Sequence, residues 1–289
     1  MGNSGGMRIG VTGLTGYLGG RLGPLVRAAG HELVDLGRPA GVDLLQPPTL
    51  VEAVTRLRPD AVIHTAAANP GRPEDTMDPV NRAASAALAE ITAAEGVRLV
   101  HVSSDVVHDG RHAPYDDHAA PSPLNEYGRS KAAGETAVLA VHPAAVAVRT
   151  SLIYGVHDID RSTAGFIERL RSGQRLSLFA DVIRQPVWVE ALAEALLRLA
   201  VELTDVAGPL NVAGCQPIDR AAFGRRMLAH WGVDAGAWGG GIDDVAAAEL
   251  SDAIPLDLRL RLDRALGLGL HCPGVDEVLS GAAAGRAGS

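Results

Sequence analysis

The chain has 289 residues, of which 47% are hydrophobic and 21% charged, with a formal net charge of −8. That length suits one large α/β domain, alone or with a smaller lobe, better than two independent domains. Only 3% of the residues are aromatic, which argues against a stacking surface for single-stranded nucleic acid, and the acidic balance argues against a general polyanion binder. A small anionic ligand held by local donors stays open.

In chain order, residues 7–11 read as a short buried strand and residues 20–29 as a helix with Leu18, Leu22, Leu25 and Val26 on one side. Between them Gly13, Gly16 and Gly19 are spaced G-x-x-G-x-x-G. The first permits a tight turn, the second a close approach of backbone to a pyrophosphate, and the third close packing of helix on strand. The helix N-terminus offers free N–H groups and a positive dipole end to phosphates. The cofactor contacts expected here are Gly13, Thr15, Gly16, Tyr17, Leu18 and Gly19.

Residues 31–36 read as a second strand ending near Gly37-Arg38. An acidic residue at this point favours NAD by binding the adenosine ribose, whereas Arg38 pairs with a 2′-phosphate and Gly37 leaves room for it. NADP is therefore expected over NAD. Asp35 takes the ribose if the strand ends earlier. Asp43 and Leu44 follow in a loop and are counted with the cofactor contacts. A helix is expected over 50–57 and a third strand over 60–64, running into Thr65-Ala66-Ala67-Ala68. The small residues Ala66, Ala67 and Ala68 let a cofactor lie against the backbone. His64 reads as a core or strand-end histidine. A helix over 81–95 and a strand over 97–102 complete an alternation that implies a parallel sheet wound on both faces.

The fourth strand ends in Ser103-Ser104-Asp105, and in an open α/β sheet ligands bind beyond the carboxyl ends of strands. Residues 108–125 read as a loop over the site. His101, His108, His112 and His118 match no standard ligand spacing, so a solvated loop is expected and no metal. Tyr127 and Lys131 then fall four apart at the start of a long helix, on one face. An ammonium beside a phenol favours the phenolate and lowers its pKa. Tyr127 is thus the candidate proton donor to a carbonyl oxygen, Ser104 the group that hydrogen-bonds that oxygen, and Lys131 the group that tunes Tyr127 and holds the nicotinamide ribose.

Further on, a strand is expected over 145–153, helices over 166–172 and 190–201, and helical runs over 220–231 and 245–250 among glycine-rich breaks such as Gly239-Gly240-Gly241. These form a smaller lobe over the substrate. The expected division is a dinucleotide-binding domain of residues 7–150 plus about 182–212, and a substrate lobe of about 151–181 and 213–280. Residues 1–6 and 281–289 are expected to be disordered. Cys215 and Cys272 are far apart and read as reduced thiols. No long apolar run predicts a membrane span, and the first residues lack a signal-peptide pattern, so a cytoplasmic location is expected.

Together these residues resemble the extended short-chain dehydrogenase/reductase superfamily over nearly the whole chain, through Gly13/Gly16/Gly19, Asn81, Ser104, Tyr127 and Lys131. Within it the sequence is most similar to the dTDP-4-dehydrorhamnose reductase family. The stretches that carry this are Val102–Gly110, Tyr127-Gly128-Arg129-Ser130-Lys131 with Gly134-Glu135, Arg149–Gly155 and Pro209–Gly214. The resemblance implies a Rossmann-type doubly wound sheet and reduction of the 4-keto group of a nucleotide-linked 6-deoxysugar with NADPH. It adds Asn81 and Ser103 to the cofactor contacts, and implies substrate contacts at Ser104, Asp105, Val106, Tyr127, Leu152 and Arg184.

Relatives that carry out 4,6-dehydration have an Asp-Glu pair where Asp105 is followed by Val106, which disfavours a dehydratase. The family pattern has an aromatic residue at Val106 and Trp at Leu152, so the pocket here differs in shape. Of the family's Asp-Gln-x-Gly-x-Pro-Thr stretch only Asp181 and Pro186 survive, and Arg184 instead suits a nucleotide or its diphosphate, or else a surface salt bridge. The reading is an NADPH-dependent reductase of a nucleotide sugar, with neither nucleic acid nor membrane as partner and a homodimer as a candidate assembly. Two alternatives stay open: an epimerase that retains NAD tightly, and a non-catalytic dinucleotide-binding regulatory subunit.

Overall fold

The structure is a computed structural model that describes residues 6–70, 77–237 and 240–287, apart from the side chains of residues 161 and 284–287. The first half runs β1 (Arg8–Thr12), α1 (Tyr17–Ala28), β2 (Glu32–Asp35), α2 (Pro47–Leu57), β3 (Ala61–His64), α3 (Ser85–Ala94), β4 (Arg98–Val102), α4 (Glu126–Val141) and β5 (Val146–Arg149). The second runs β6 (Ile153–Tyr154), α5 (Arg161–Arg171), β7 (Arg175–Phe179), β8 (Ile183–Arg184), β9 (Val187–Trp188), α6 (Val189–Val201), β10 (Gly208–Asn211), β11 (Ile218–Asp219), α7 (Arg220–His230), β12 (Gly241–Val245), α8 (Asp263–Gly267) and α9 (Val275–Ala287).

Six strands form one parallel sheet in the order β10-β5-β4-β3-β1-β2. The order departs to either side of β1 and β3, as in a doubly wound fold, and ligands bind at such a switch point. The strand residues alternate between two cores. Ile9, Val11, Ile63, Val100 and Val148 pack with Leu22 and Val26 of α1 and Leu192, Leu196 and Leu199 of α6. Val34, Val62 and Leu99 pack with Leu50 and Val54 of α2, Leu88 of α3 and Val138 of α4. Burial on both faces explains why these strands read as unbroken apolar runs. The remaining elements and loops form small sheets (β6 with β9, β8 with β11, β7 with β12) and three further apolar clusters.

Several expected elements are corrected. The strand expected over 145–153 splits into β5 and β6, because pairing with β4 ends at Val148 and the chain then bends through Thr150, whose carbonyl accepts from Asp105 N–H at 2.7 Å. The helix expected over 81–95 begins as a π-helical segment, Pro79–Ala84, before α3. The helix expected from 166 starts at Arg161, since Asp160 caps it by accepting from the N–H groups of Ser162 and Thr163. The run over 245–250 is not a helix. Gly241–Val245 pairs in parallel with β7, and only Ala247–Glu249 forms a 3₁₀ turn, its first N–H groups held by the Asp181 carboxylate.

The tail also differs from expectation, as α9 continues to Ala287. Residues 1–5, 288 and 289 of the segments expected to be disordered, and Gly239 of the glycine break, lie outside the described residues. Residues 108–125, expected as a loop over the site, are tied to β5 and β10. Arg149 binds the carbonyls of Asp117 and Ala119, and Asn211 binds Tyr115 and Asp117, so the segment is strapped down. His101 and His108 are buried and not solvated. No helix among the described residues is long and apolar enough to cross a membrane.

Candidate active site

The glycine stretch turns from β1 into α1. Gly13 has φ +75°, and a Cβ there would lie 2.8 Å from Thr65 Oγ1. A Cβ on Gly19 would collide with the carbonyl oxygen of Gly13, so α1 packs against the turn only because Gly19 lacks a side chain. A Cβ on Gly16 would meet just the Gly13 carbonyl oxygen, at 3.1 Å. No side chain caps α1 at Gly16, and its first turn carries no acidic residue. The positive end of the helix is therefore left open for an anion.

This turn forms one wall of a cleft of about 960 Å³. Gly13, Thr15, Gly16, Tyr17, Leu18, Gly19, Arg38, Asp43, Leu44, Ala66, Ala67, Ala68, Ser103, Ser104, Tyr127 and Lys131 all line it. Asn81, Asp105, Val106, Leu152 and Arg184 do not. At the far end β2 stops at Asp35, one residue earlier than the sequence suggests, so both Asp35 and Arg38 face the cleft. Asp35 Oδ1 is buried with no hydrogen-bond partner among the described residues, and Arg38 is exposed.

At the other end Tyr127, Ser104 and Lys131 converge. Asn125 caps α4 by accepting from Gly128 N–H at 2.9 Å. A Cβ on Gly128 would strike the Val106 carbonyl, so glycine here lets α4 press against the turn that follows Ser104. Tyr127 Oη donates to Asn69 Oδ1 at 3.4 Å. Burial and the Asp105 carboxylate push the phenol up to about 12, while Arg184 and a hydrogen bond with Ser104 pull it down. Lys131 is buried and donates from Nζ to the Val102 carbonyl at 2.7 Å. Burial brings its ammonium down to about 8, with Glu135 pulling the other way.

The expectation that Lys131 acidifies Tyr127 is therefore corrected. The ammonium is turned to the Val102 carbonyl, and the cation that acts on the phenol is Arg184. Tyr127 stays a neutral hydroxyl at neutral pH, the form a proton donor needs.

Behind this surface lie residues that position it. Asn81 is fully buried. Its side chain accepts from Ala68 N–H at 2.8 Å and donates to the Ala68 carbonyl and Ser130 Oγ, each at 2.9 Å. It fixes the Ala66–Ala68 wall and α4 and leaves no amide atom toward the cleft, so its place among the cofactor contacts is corrected to a positioning one. Glu135 accepts from Ser103 Oγ at 2.8 Å and pairs with buried Arg149.

Asp105 and Arg184 form a bidentate pair, Nε–Oδ2 2.7 Å and Nη2–Oδ1 2.5 Å, with Asp105 fully buried. Arg184 is thus neither a surface salt bridge nor a free ligand, because a carboxylate already fills its fork. Val106 is buried in the turn after Ser104. Leu152 lines a separate, smaller pocket of about 140 Å³. Asn69, Thr150 and Ser151 also line the cleft, though none of them was an expected contact; the signal that could have found Thr150 and Ser151 is their place in the Arg149–Gly155 stretch.

The chain fits a dinucleotide: a side-chain-free turn at an open helix end for the pyrophosphate, an orphaned Asp35 oxygen or Arg38 for the ribose, and small residues along the opposite wall.

Residues 7–255 match the family model described as RmlD substrate binding domain. The chain is 33% identical over 201 residues to dTDP-4-keto-6-deoxy-D-glucose reductase of Streptomyces niveus, covering 65% of this chain and 67% of that protein. It is 28% identical over 275 residues to dTDP-4-dehydrorhamnose reductase of Sinorhizobium fredii, covering 89% and 90% respectively. Its fold matches the crystal structure of dTDP-4-dehydrorhamnose reductase from Bacillus anthracis in complex with NADP, with TM-score 0.83, 24% identity and coverage of 95% and 98%.

Proposed function

Because the chain belongs to the RmlD substrate-binding-domain family, we propose that this oxidoreductase reduces the 4-keto group of a nucleotide-linked 6-deoxysugar, with NADPH and with Tyr127 as proton donor. The observation that carries this reading is the convergence of Ser104, Tyr127 and Lys131 at one end of a cleft whose wall is the glycine turn. The reduced nicotinamide, when bound, supplies the hydride.

The chain's own part is to place and protonate the carbonyl. Ser104 hydrogen-bonds its oxygen and fixes the carbonyl plane. Tyr127 gives that oxygen its proton, and the neutral phenol is the competent form. Lys131, charged below about pH 8, holds the ribose next to the reacting ring and adds positive potential where negative charge develops. Asp105 is committed to Arg184, which further disfavours the extra acid–base work of a dehydratase.

Arg38 pairs with the 2′-phosphate of NADPH. A second reading of coenzyme choice rests on Asp35, whose unpartnered oxygen at the end of β2 suits the ribose hydroxyls of NADH.

The test is coenzyme oxidation against a panel of dTDP-4-keto-6-deoxysugars and simple ketones. Oxidation with a keto sugar is expected, and Tyr127→Phe lowers kcat by about 10²–10⁴-fold at unchanged melting temperature. Tight co-purifying NAD with no net oxidation would select the epimerase. Full biological activity of Tyr127→Phe would select the regulatory subunit.

A further inference from the structure

Arg220 is the first residue of α7, and its guanidinium reaches the smaller pocket. This pocket adjoins the cleft, because Ile153 lines both. Its other walls include Phe166, Phe179 and Phe223, the three phenylalanines of the sequence. Arg220 Cζ lies 5.4 Å from the centroid of the Phe179 ring. Among the described residues the guanidinium has no ion pair and no hydrogen bond.

Burial and its cationic neighbour disfavour the charge. It stands at the positive end of a helix. Burial and the Arg184 charge bring it down to about 10, with Asp105 alone pulling the other way. Asp105 is already held by both arms of the Arg184 fork. The aromatic face offsets part of the burden. Asp160, Ser162 and Ser177 also line the pocket, and the Asp160 carboxylate is taken up by the N–H groups of Ser162 and Thr163 and by Thr163 Oγ1. A half-buried guanidinium with no ion pair among the described residues, beside a second cation, suits an anion brought by a ligand.

Resting on the reductase reading above, we propose that Arg220, and not Arg184, receives the diphosphate of the nucleotide-sugar substrate and so selects for it. Arg184 acts through Asp105 as a positioning residue. The pocket's place next to Ile153 sets the anion one step beyond the carbonyl held by Ser104 and Tyr127.

The test is calorimetric titration of the full chain with dTDP and with thymidine, which lacks phosphates. Arg220→Gln is expected to weaken dTDP binding by about 10- to 150-fold, the range of a charge-assisted hydrogen bond. Thymidine and NADPH binding and the melting temperature stay as in the wild type. Arg220→Lys recovers part of the affinity. Arg225→Gln, on the same helix but exposed and paired with Asp244, binds dTDP normally. Equal dTDP binding by wild type and Arg220→Gln would overturn the assignment and leave the reductase reading intact. A wild type that binds no dTDP would overturn both. Loss of dTDP binding in Arg220→Gln, with no keto sugar ever reduced, would uphold the Arg220 assignment and remove only the reaction.

Discussion

Replacing Asp105 by Ala tests the buried pair at the base of the site. Asp105 is completely buried and Arg184 nearly so, with two hydrogen bonds of 2.7 and 2.5 Å between them. Truncating one partner leaves a buried charge unpaired, which costs about 3–5 kcal/mol. Here the freed guanidinium also faces Arg220, whose charge it already opposes, so the upper half of that range is expected. At about 2–4 °C per kcal/mol for large domains, the melting temperature falls by about 8–20 °C. The assay is thermal and urea unfolding of wild type, Asp105→Ala, Arg184→Met and the double variant. The double variant should recover most of the loss, because an apolar pair of similar size removes both desolvation penalties. A loss below about 1 kcal/mol in Asp105→Ala, the scale of an exposed pair, would refute the argument.

The pH profile of reduction provides a second test. Tyr127 keeps its proton up to about 12, so it contributes no basic limb in the working range. Lys131 is charged below about 8 and loses its proton above it. The log of kcat/KM should therefore be level near neutrality and decline through pH 8, and Lys131→Met should abolish that limb along with most activity. A limb only above pH 10 in the wild type would contradict this. Coenzyme choice gives a third. Arg38→Ala should lower kcat/KM for NADPH by about 10-fold or more with little effect on NADH, the loss of one charge-assisted contact, whereas Asp35→Asn should hurt NADH and spare NADPH. Steady-state kinetics with both coenzymes decides it, and an Arg38→Ala variant indifferent to NADPH would leave Asp35 as the discriminating group.

Much of the site was legible because its signals are local. The G-x-x-G-x-x-G turn lies between a strand of five residues and a helix of twelve, and the four-residue spacing of Tyr127 and Lys131 needs only helical geometry. The two-faced sheet followed from apolar runs too continuous for a half-exposed strand. What escaped depends on distant partners. Nothing near Arg184 in sequence says that Asp105 will fill its fork, nor that this leaves Arg220 bare. Tyr127 and Lys131 were placed on one helix face correctly, yet the direction of the ammonium was decided by the Val102 carbonyl of another strand. Asn81 is a contact residue only by the resemblance, and nothing near it in sequence shows that the Ala68 backbone satisfies its amide. Likewise Gly241–Val245 becomes a strand only because β7 offers an unpaired edge.

The walls of the cleft come from residues 13 to 153, and those of the phenylalanine pocket from 152 to 223, with Ile153 common to both. On the proposed function, reactivity is thus written in the earlier stretch of polypeptide and appetite in the later one. On that reading, lineages or engineers can remodel the walls of the phenylalanine pocket to accept new molecules, provided that Arg184, which holds Asp105 beneath the reducing apparatus, is kept.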